Sequence, residues 1–155
     1  MRLSSRSLYG MRAVLVLARN HGRGSIFLKD IAAGERLPPT YLEQLMVPLR
    51  KAGLVLGVRG ARGGYSLARP PAEIQVLAVL EALEGPLRLA GCPIGAGCCG
   101  HPERCVLKDL WAEGSEALAH AYQGITLADL LERQQATEPG PDPRPQIPAG
   151  PSISA

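Results

Sequence analysis

Residues 37–67 read LPPTYLEQLMVPLRKAGLVLGVRGARGGYSL, and the hydrophobic period changes once within them. Pro39 is pre-set for a first helical turn and forbids helix before it, so a helix opens there. Leu42, Leu45, Met46 and Leu49 recur at three- and four-residue intervals and form its buried stripe. Pro48 removes one backbone donor from this helix and should kink it, and Gly53 marks its end. Beyond it Leu54, Leu56 and Val58 alternate, Gly60-Ala61-Arg62-Gly63-Gly64 turns, and Tyr65 and Leu67 alternate again, the pattern of a hairpin.

Working outward, Leu8, Met11, Val14, Leu15 and Ala18 share one stripe of a helix from Ser4 to Asn20, which His21-Gly22-Arg23-Gly24 breaks. Phe27 to Ala33 is a short second helix with Leu28 and Ile31 inward, stopped by Gly34 as the left-handed residue. Helix, short helix, turn, helix and an Arg- and Gly-rich hairpin is the order of a winged helix-turn-helix, whose third helix enters the major groove. Downstream, Ile74, Leu77, Leu80 and Leu83 give a helix from Ala72 to Glu84 that ends at Gly85-Pro86. Arg104 to Tyr122 is a long helix with Leu107, Leu110, Trp111, Leu118 and Tyr122 on one side, and Thr126-Leu127-Ala128-Asp129 fits a capping-box start for a short closing helix. After Gln135 prolines arrive every two or three residues from Pro139 to Pro151, a density that no packed element tolerates.

The charge is divided between the two halves of the chain. Residues 1–70 hold twelve basic and three acidic side chains (+9), and the remainder five basic and eleven acidic (−6), which together give the overall +3. A basic half of this strength is the footprint expected where phosphates are neutralised. On the third helix Thr40, Tyr41, Glu43 and Gln44 are the candidates for the exposed face, with Arg50 and Lys51 following towards the DNA backbone. In the hairpin, Arg59, Gly60 and Arg62 combine guanidinium groups with a backbone thin enough to approach a narrow minor groove, and Arg59 is the first choice for that contact. Aromatics are only 4% of the chain, so its core must rest on aliphatic side chains, and no apolar run approaches the length of a membrane span.

Cys92, Cys98, Cys99 and Cys105 are separated by five or six intervening residues, depending on which central cysteine is counted, within a segment rich in Gly and Pro. This is not the Cys-x-x-Cys pairing of a zinc ribbon, nor a disulfide framework spread over a secreted fold. Such wide spacing suits a loop wrapping an iron–sulfur cluster, whose irons take soft thiolates around an object larger than one ion. The expected compartment is the cytoplasm. The rival readings keep DNA binding but make the thiols a disulfide or zinc switch, or make the chain a small thiol enzyme with Cys105 or Cys99 as nucleophile and His101 or His120 as base.

The stretches Tyr41-Leu42-Glu43-Gln44-Leu45, Leu49-Arg50-Lys51-Ala52-Gly53-Leu54-Val55 and Arg59-Gly60-Ala61-Arg62-Gly63-Gly64-Tyr65 closely resemble the Rrf family of bacterial regulators. So do Met1-Arg2-Leu3-Ser4, Tyr9, Cys105-Val106-Leu107 with Leu110-Trp111, and Ile125 to Leu130, and the resemblance spans roughly residues 1–134. It implies a homodimeric DNA-binding transcription regulator, with repressors among its members, that takes neither membrane nor small-molecule substrate. It also implies three cysteine ligands to an iron–sulfur cluster, [2Fe–2S] with [4Fe–4S] as the alternative, ahead of the dimer helix. Cys92 and Cys105 match two of them; the middle one is Cys99 if the spacing to Cys105 is kept and Cys98 if the spacing from Cys92 is kept. Some members use a histidine three residues after the last cysteine, where this chain has Lys108, and others an acidic residue on the partner's first helix, where it has Leu8. His101, Glu103 and the spare cysteine are the substitutes within reach. The expected fold is mainly α with a small two-stranded β-wing, divided into a winged helix-turn-helix DNA-binding domain (1–86), a cysteine-rich cluster loop (87–103), dimerisation helices (104–135) and a disordered Pro-rich tail (136–155).

Overall fold

A computed structural model describes residues 4–58, 63–89 and 106–137. Its order is α1 (Ser5–Arg19), α2 (Leu28–Glu35), α3 (Pro39–Lys51), β1 (Val55–Val58), β2 (Gly64–Leu67), a 3-10 turn (Pro71–Glu73), α4 (Val76–Glu84), α5 (Val106–Tyr122) and α6 (Leu127–Thr137). One aliphatic core joins α1, α2, α3, the base of the hairpin, α4 and Leu127. The winged helix-turn-helix is therefore present, and among the described residues no helix is long and apolar enough to cross a membrane.

α1 begins at Ser4, whose Oγ accepts from the Arg6 N–H at 3.1 Å. Its expected stripe faces the core at Val14, Ala18, Met11 and Leu15, but Leu8 is 57% exposed, and Ser7, Gly10 and Leu17 are buried beside that stripe. The buried face is wider than that stripe, and at its N-terminal end size decides which residues turn inward. A Cβ at Gly10 would collide with the Leu83 side chain, so the helix presents its smallest residues to α4 and the two approach closely. Glu84 fastens the same contact, its Oε1 accepting from the Ser4 hydroxyl, the Ser7 hydroxyl at 2.5 Å and the Ser7 N–H at 3.3 Å. The Ser4 hydroxyl and then the Ser7 hydroxyl hold the Glu84 carboxyl below its ordinary pKa. What this clasp adds to stability is therefore present above the unfolded pKa and lost as pH falls through the lowered folded value.

α2 runs one residue past Gly34, and the left-handed residue that ends it is Arg36 (φ 55°) instead. Leu37, buried, closes the end by donating its N–H to the Ala32 carbonyl at 2.8 Å. α3 buries Leu42, Leu45, Met46 and Leu49 as expected, and Gly53 leaves it at φ 67°. In the hairpin the inward residues are Val55 and Leu67, paired across the ladder, whereas Leu56 and Val58 are 53% and 41% exposed. The expected alternation from Leu54 slipped by one because Leu54 belongs to the end of α3, its N–H bonded to the Leu49 carbonyl at 3.0 Å.

The expected helix from Ala72 is likewise two elements. Val76 donates to the Ile125 carbonyl and Leu127 to the Ile74 carbonyl, both at 2.9 Å, so the backbone at 74–76 pairs with the far end of the chain instead of coiling. The closing capping box is present: Asp129 Oδ2 accepts from the Thr126 N–H at 2.7 Å, and the Asp129 N–H donates to Thr126 Oγ1 at 3.2 Å. Thr126→Ala should cost about 1 kcal/mol of stability in urea unfolding, since it removes an N-cap; an unchanged midpoint would show that the cap is dispensable.

Candidate nucleic-acid interface

Four fully buried aliphatic residues on one side of α3 leave the other side to solvent. Thr40, Glu43, Gln44, Val47, Arg50 and Lys51 are all exposed there. No side chain caps the helix N-terminus, where Pro38 is extended and Pro39 takes the first turn. Tyr41 differs from its expected place on the exposed face. Its ring is half-buried against the core and meets Tyr9 of α1 edge-on, with centroids 6.0 Å apart and planes at 88°.

One turn along α1 from Tyr9, Arg12 holds the other flank of the helix-turn-helix. Its Nε donates to Glu35 Oε2 at 2.7 Å and its Nη2 to the Glu35 carbonyl at 3.0 Å, and its guanidinium lies 5.9 Å from the Tyr9 ring centroid. Glu35 is 6% exposed and immediately precedes the left-handed Arg36. Two α1 side chains thus fix both ends of the turn that aims α3. No local pattern announces a pair 23 residues apart, and neither Arg12 nor Glu35 was legible as part of the interface.

The wing is set by close backbone approach. Ile26 and Tyr65 exchange N–H···O bonds of 2.9 and 2.8 Å, which ties β2 to the segment between α1 and α2. A Cβ on Gly64 would lie 2.5 Å from the Ile26 carbonyl oxygen, so only glycine lets these strands meet. On the other strand, Arg50 Nε would be 3.2 Å from a Cβ on Gly57: the α3 arginine lies across the wing strand, and its charge sits where α3 and the wing meet. Arg59, Gly60 and Arg62 lie outside the described residues, as do Cys92, Cys98, Cys99, His101, Glu103 and Cys105.

The described flanks of the cysteine segment both rest on α5. Leu89 donates its N–H to Ser115 Oγ at 2.9 Å, that hydroxyl donates to the Trp111 carbonyl at 2.6 Å, and the Leu89 side chain occupies the notch left by Gly114. The segment returns to the same helix at Val106, nine residues before Ser115, or about 13 Å along the axis at 1.5 Å per residue. On α5 itself Leu107, Leu110 and Trp111 are 51%, 54% and 38% exposed.

Comparison with known proteins agrees with this architecture. The chain is 39% identical over 134 residues to the HTH-type transcriptional regulator IscR of Serratia proteamaculans, covering 86% of this chain and 81% of that one. Among solved structures it resembles T. potens IscR at a TM-score of 0.71 with 37% identity, covering 91% and 94% of the two chains. It also resembles CymR, the global cysteine regulator of B. subtilis, at 0.69 with 34% identity, covering 86% and 98%. These relatives are transcriptional regulators and not enzymes, which removes the thiol-enzyme reading. The Rrf2 family profile, described as an iron-dependent transcriptional regulator, matches residues 3–133, and the chain belongs to that family as a DNA-binding transcription regulator.

Proposed function

We propose that this regulator is a cytoplasmic homodimer whose operator affinity is controlled by an iron–sulfur cluster, [2Fe–2S] with [4Fe–4S] as the alternative, bound through Cys92, Cys105 and one of Cys98 and Cys99. The observation that carries this reading is the placement of four thiols on one short segment whose two described flanks are both fastened to α5. The donor set fits the group, because thiolates are the soft ligands that cluster irons take; His101 is the candidate for the fourth position. A bound cluster would supply iron that redox conditions, iron supply or nitric oxide can alter. Ligation or release of these thiols would change what Leu89 and Val106 impose on α5. The exposed Leu107, Leu110 and Trp111 suit α5 to the dimer interface, so such a change alters the spacing of the two recognition helices. A signal moves that equilibrium only through different affinity for its two states.

On the DNA side, α3 enters the major groove, with Thr40, Glu43 and Gln44 at base edges and Arg50 and Lys51 at phosphates. Arg59, Gly60 and Arg62 of the wing take the minor groove. Tyr41 supports α3 from behind, which its edge contact with Tyr9 favours over a base contact. Residues 1–86 are then the DNA-binding unit, 87–103 the cluster loop and 104–135 the dimerisation helices.

The test is oxygen-free purification with absorbance, iron and acid-labile sulfide analysis, repeated on Cys92→Ser and Cys105→Ser. Iron with sulfide is expected in the parent and lost in both variants. Zinc alone, or no metal with a reversible disulfide, would replace the cluster by a zinc or thiol switch. On its own operator, Lys51→Ala should weaken binding and reduce the slope of log K against log salt by about 1, the contribution of one phosphate contact. An unchanged slope removes Lys51 from the phosphate contacts.

A further inference from the structure

We propose that Val47 is a specificity-determining residue that reads the 5-methyl group of a thymine in the operator. The inference rests on α3 being the groove helix, and its test separates the two.

On α3 the apolar residues divide sharply. Leu42, Leu45, Met46 and Leu49 are at most 1% exposed, whereas Val47 is 47% exposed, on the same face as Thr40, Glu43, Gln44 and Lys51. Spacings of three and four residues put Val47 one turn beyond Glu43 and Gln44 and one turn before Arg50 and Lys51. It therefore occupies the middle of the face, between side chains suited to base edges and cations suited to phosphates. A single exposed hydrophobe elsewhere on a protein surface needs no explanation. In the centre of a major-groove face it meets a specific chemistry, because the apolar feature that base pairs present there is the pyrimidine 5-methyl of thymine. Val47 suits that partner for a second reason. A β-branched side chain on a helix holds one strongly preferred χ1 rotamer, so its methyl groups occupy a fixed place and lose little entropy on contact. Polar neighbours make the discrimination sharper, since Glu43 and Gln44 orient the pair whose methyl Val47 covers. The same methyl occurs on 5-methylcytosine; thymine is the assignment, and the modified base is a separate arm of the test.

The experiment replaces each thymine of the operator in turn by deoxyuridine, which differs only in lacking the methyl, and measures binding by fluorescence anisotropy for the full chain and for Val47→Ala. Alanine is a better helix former than valine at an exposed site, so the variant should fold, and its circular dichroism and melting temperature serve as the check. The parent is expected to lose about fourfold at one thymine per half-site, the worth of roughly one buried methyl. Val47→Ala should show that loss on the unmodified operator and be indifferent to deoxyuridine at the same position. A parent equally tolerant of deoxyuridine everywhere overturns the inference, as does a Val47→Ala protein that keeps the full deoxyuridine penalty. So does a parent that tightens only on an operator carrying 5-methylcytosine. Gln44→Ala distinguishes the underlying reading: if it lowers the ratio of operator to non-specific binding, α3 is in the groove whatever Val47 does; if neither variant changes that ratio, the groove assignment itself fails.

Discussion

Gly64→Ala should unfasten the wing and reduce operator affinity by at least about tenfold, as expected when wing contacts that insert into the minor groove are withdrawn. The added Cβ would stand 2.5 Å from the Ile26 carbonyl oxygen, 2.8 Å from its carbon and 3.2 Å from the Phe27 nitrogen. All three are backbone atoms, so no rotamer change relieves the overlap. The strands must separate instead, and the reciprocal bonds between Ile26 and Tyr65 go with them. Two such bonds contribute about 1–3 kcal/mol together, which is the loss expected in urea unfolding. Gly57→Ala is the control. Its new Cβ would meet only the flexible end of Arg50, 3.2 Å away, and the guanidinium can move aside. Stability should therefore hold, and any loss of affinity should vanish in an Arg50→Ala background. If Gly64→Ala binds and unfolds like the parent, the wing is not held at Ile26.

The parts of the fold that were legible in the sequence are those decided within a few residues. Pro39, the stripe from Leu42 to Leu49 and Gly53 define α3 locally, because a proline at the start, a period of three and four, and a left-handed glycine each act on their own turn. For the same reason the solvent face of α3 could be read by subtraction, apart from Tyr41, whose amphipathic ring belongs to the border of the stripe and is drawn inward by Tyr9. What escaped was set by distant partners. The rotation of α1 depends on Gly10 meeting Leu83, and the break before α4 on backbone bonds to Ile125 and Leu127. The one-residue slip of β1 had a local cause, the use of Leu54 to close α3, but alternation alone carries no phase. Val47 lay outside the buried stripe but was not singled out, because a solvent face is read in sequence for its polar and charged side chains; its 47% exposure beside the buried Met46 brings it out. The cysteines themselves lie outside the described residues, and what escaped beside them is the attachment of their segment to α5, which depends on Leu89 reaching Gly114 and Ser115.

Arg12→Met should lower stability by about 2 kcal/mol and weaken operator binding even where the protein is fully folded. The substitution keeps the aliphatic stem but leaves the Glu35 carboxylate, 6% exposed, without its 2.7 Å partner. Breaking a fully buried ion pair costs about 3–5 kcal/mol. The Arg12 side chain is 43% exposed, so solvent already screens the pair and the smaller figure applies. The loss does not stop at α2. Arg12 also holds the Glu35 carbonyl, at the residue before the left-handed Arg36, and stands over Tyr9, whose ring edge supports Tyr41 at the start of α3. Releasing it frees the turn that fixes the angle between α2 and α3, and a recognition helix that samples several angles meets its base edges less often. The double variant Arg12→Met/Glu35→Gln separates the two effects, because a neutral amide removes the stranded charge without restoring the clamp. Its stability should recover part of the loss while its operator affinity stays low. Additive stability losses in the double variant would mean that the charge was never desolvated, and parental affinity in both would mean that α3 is aimed by its core contacts alone.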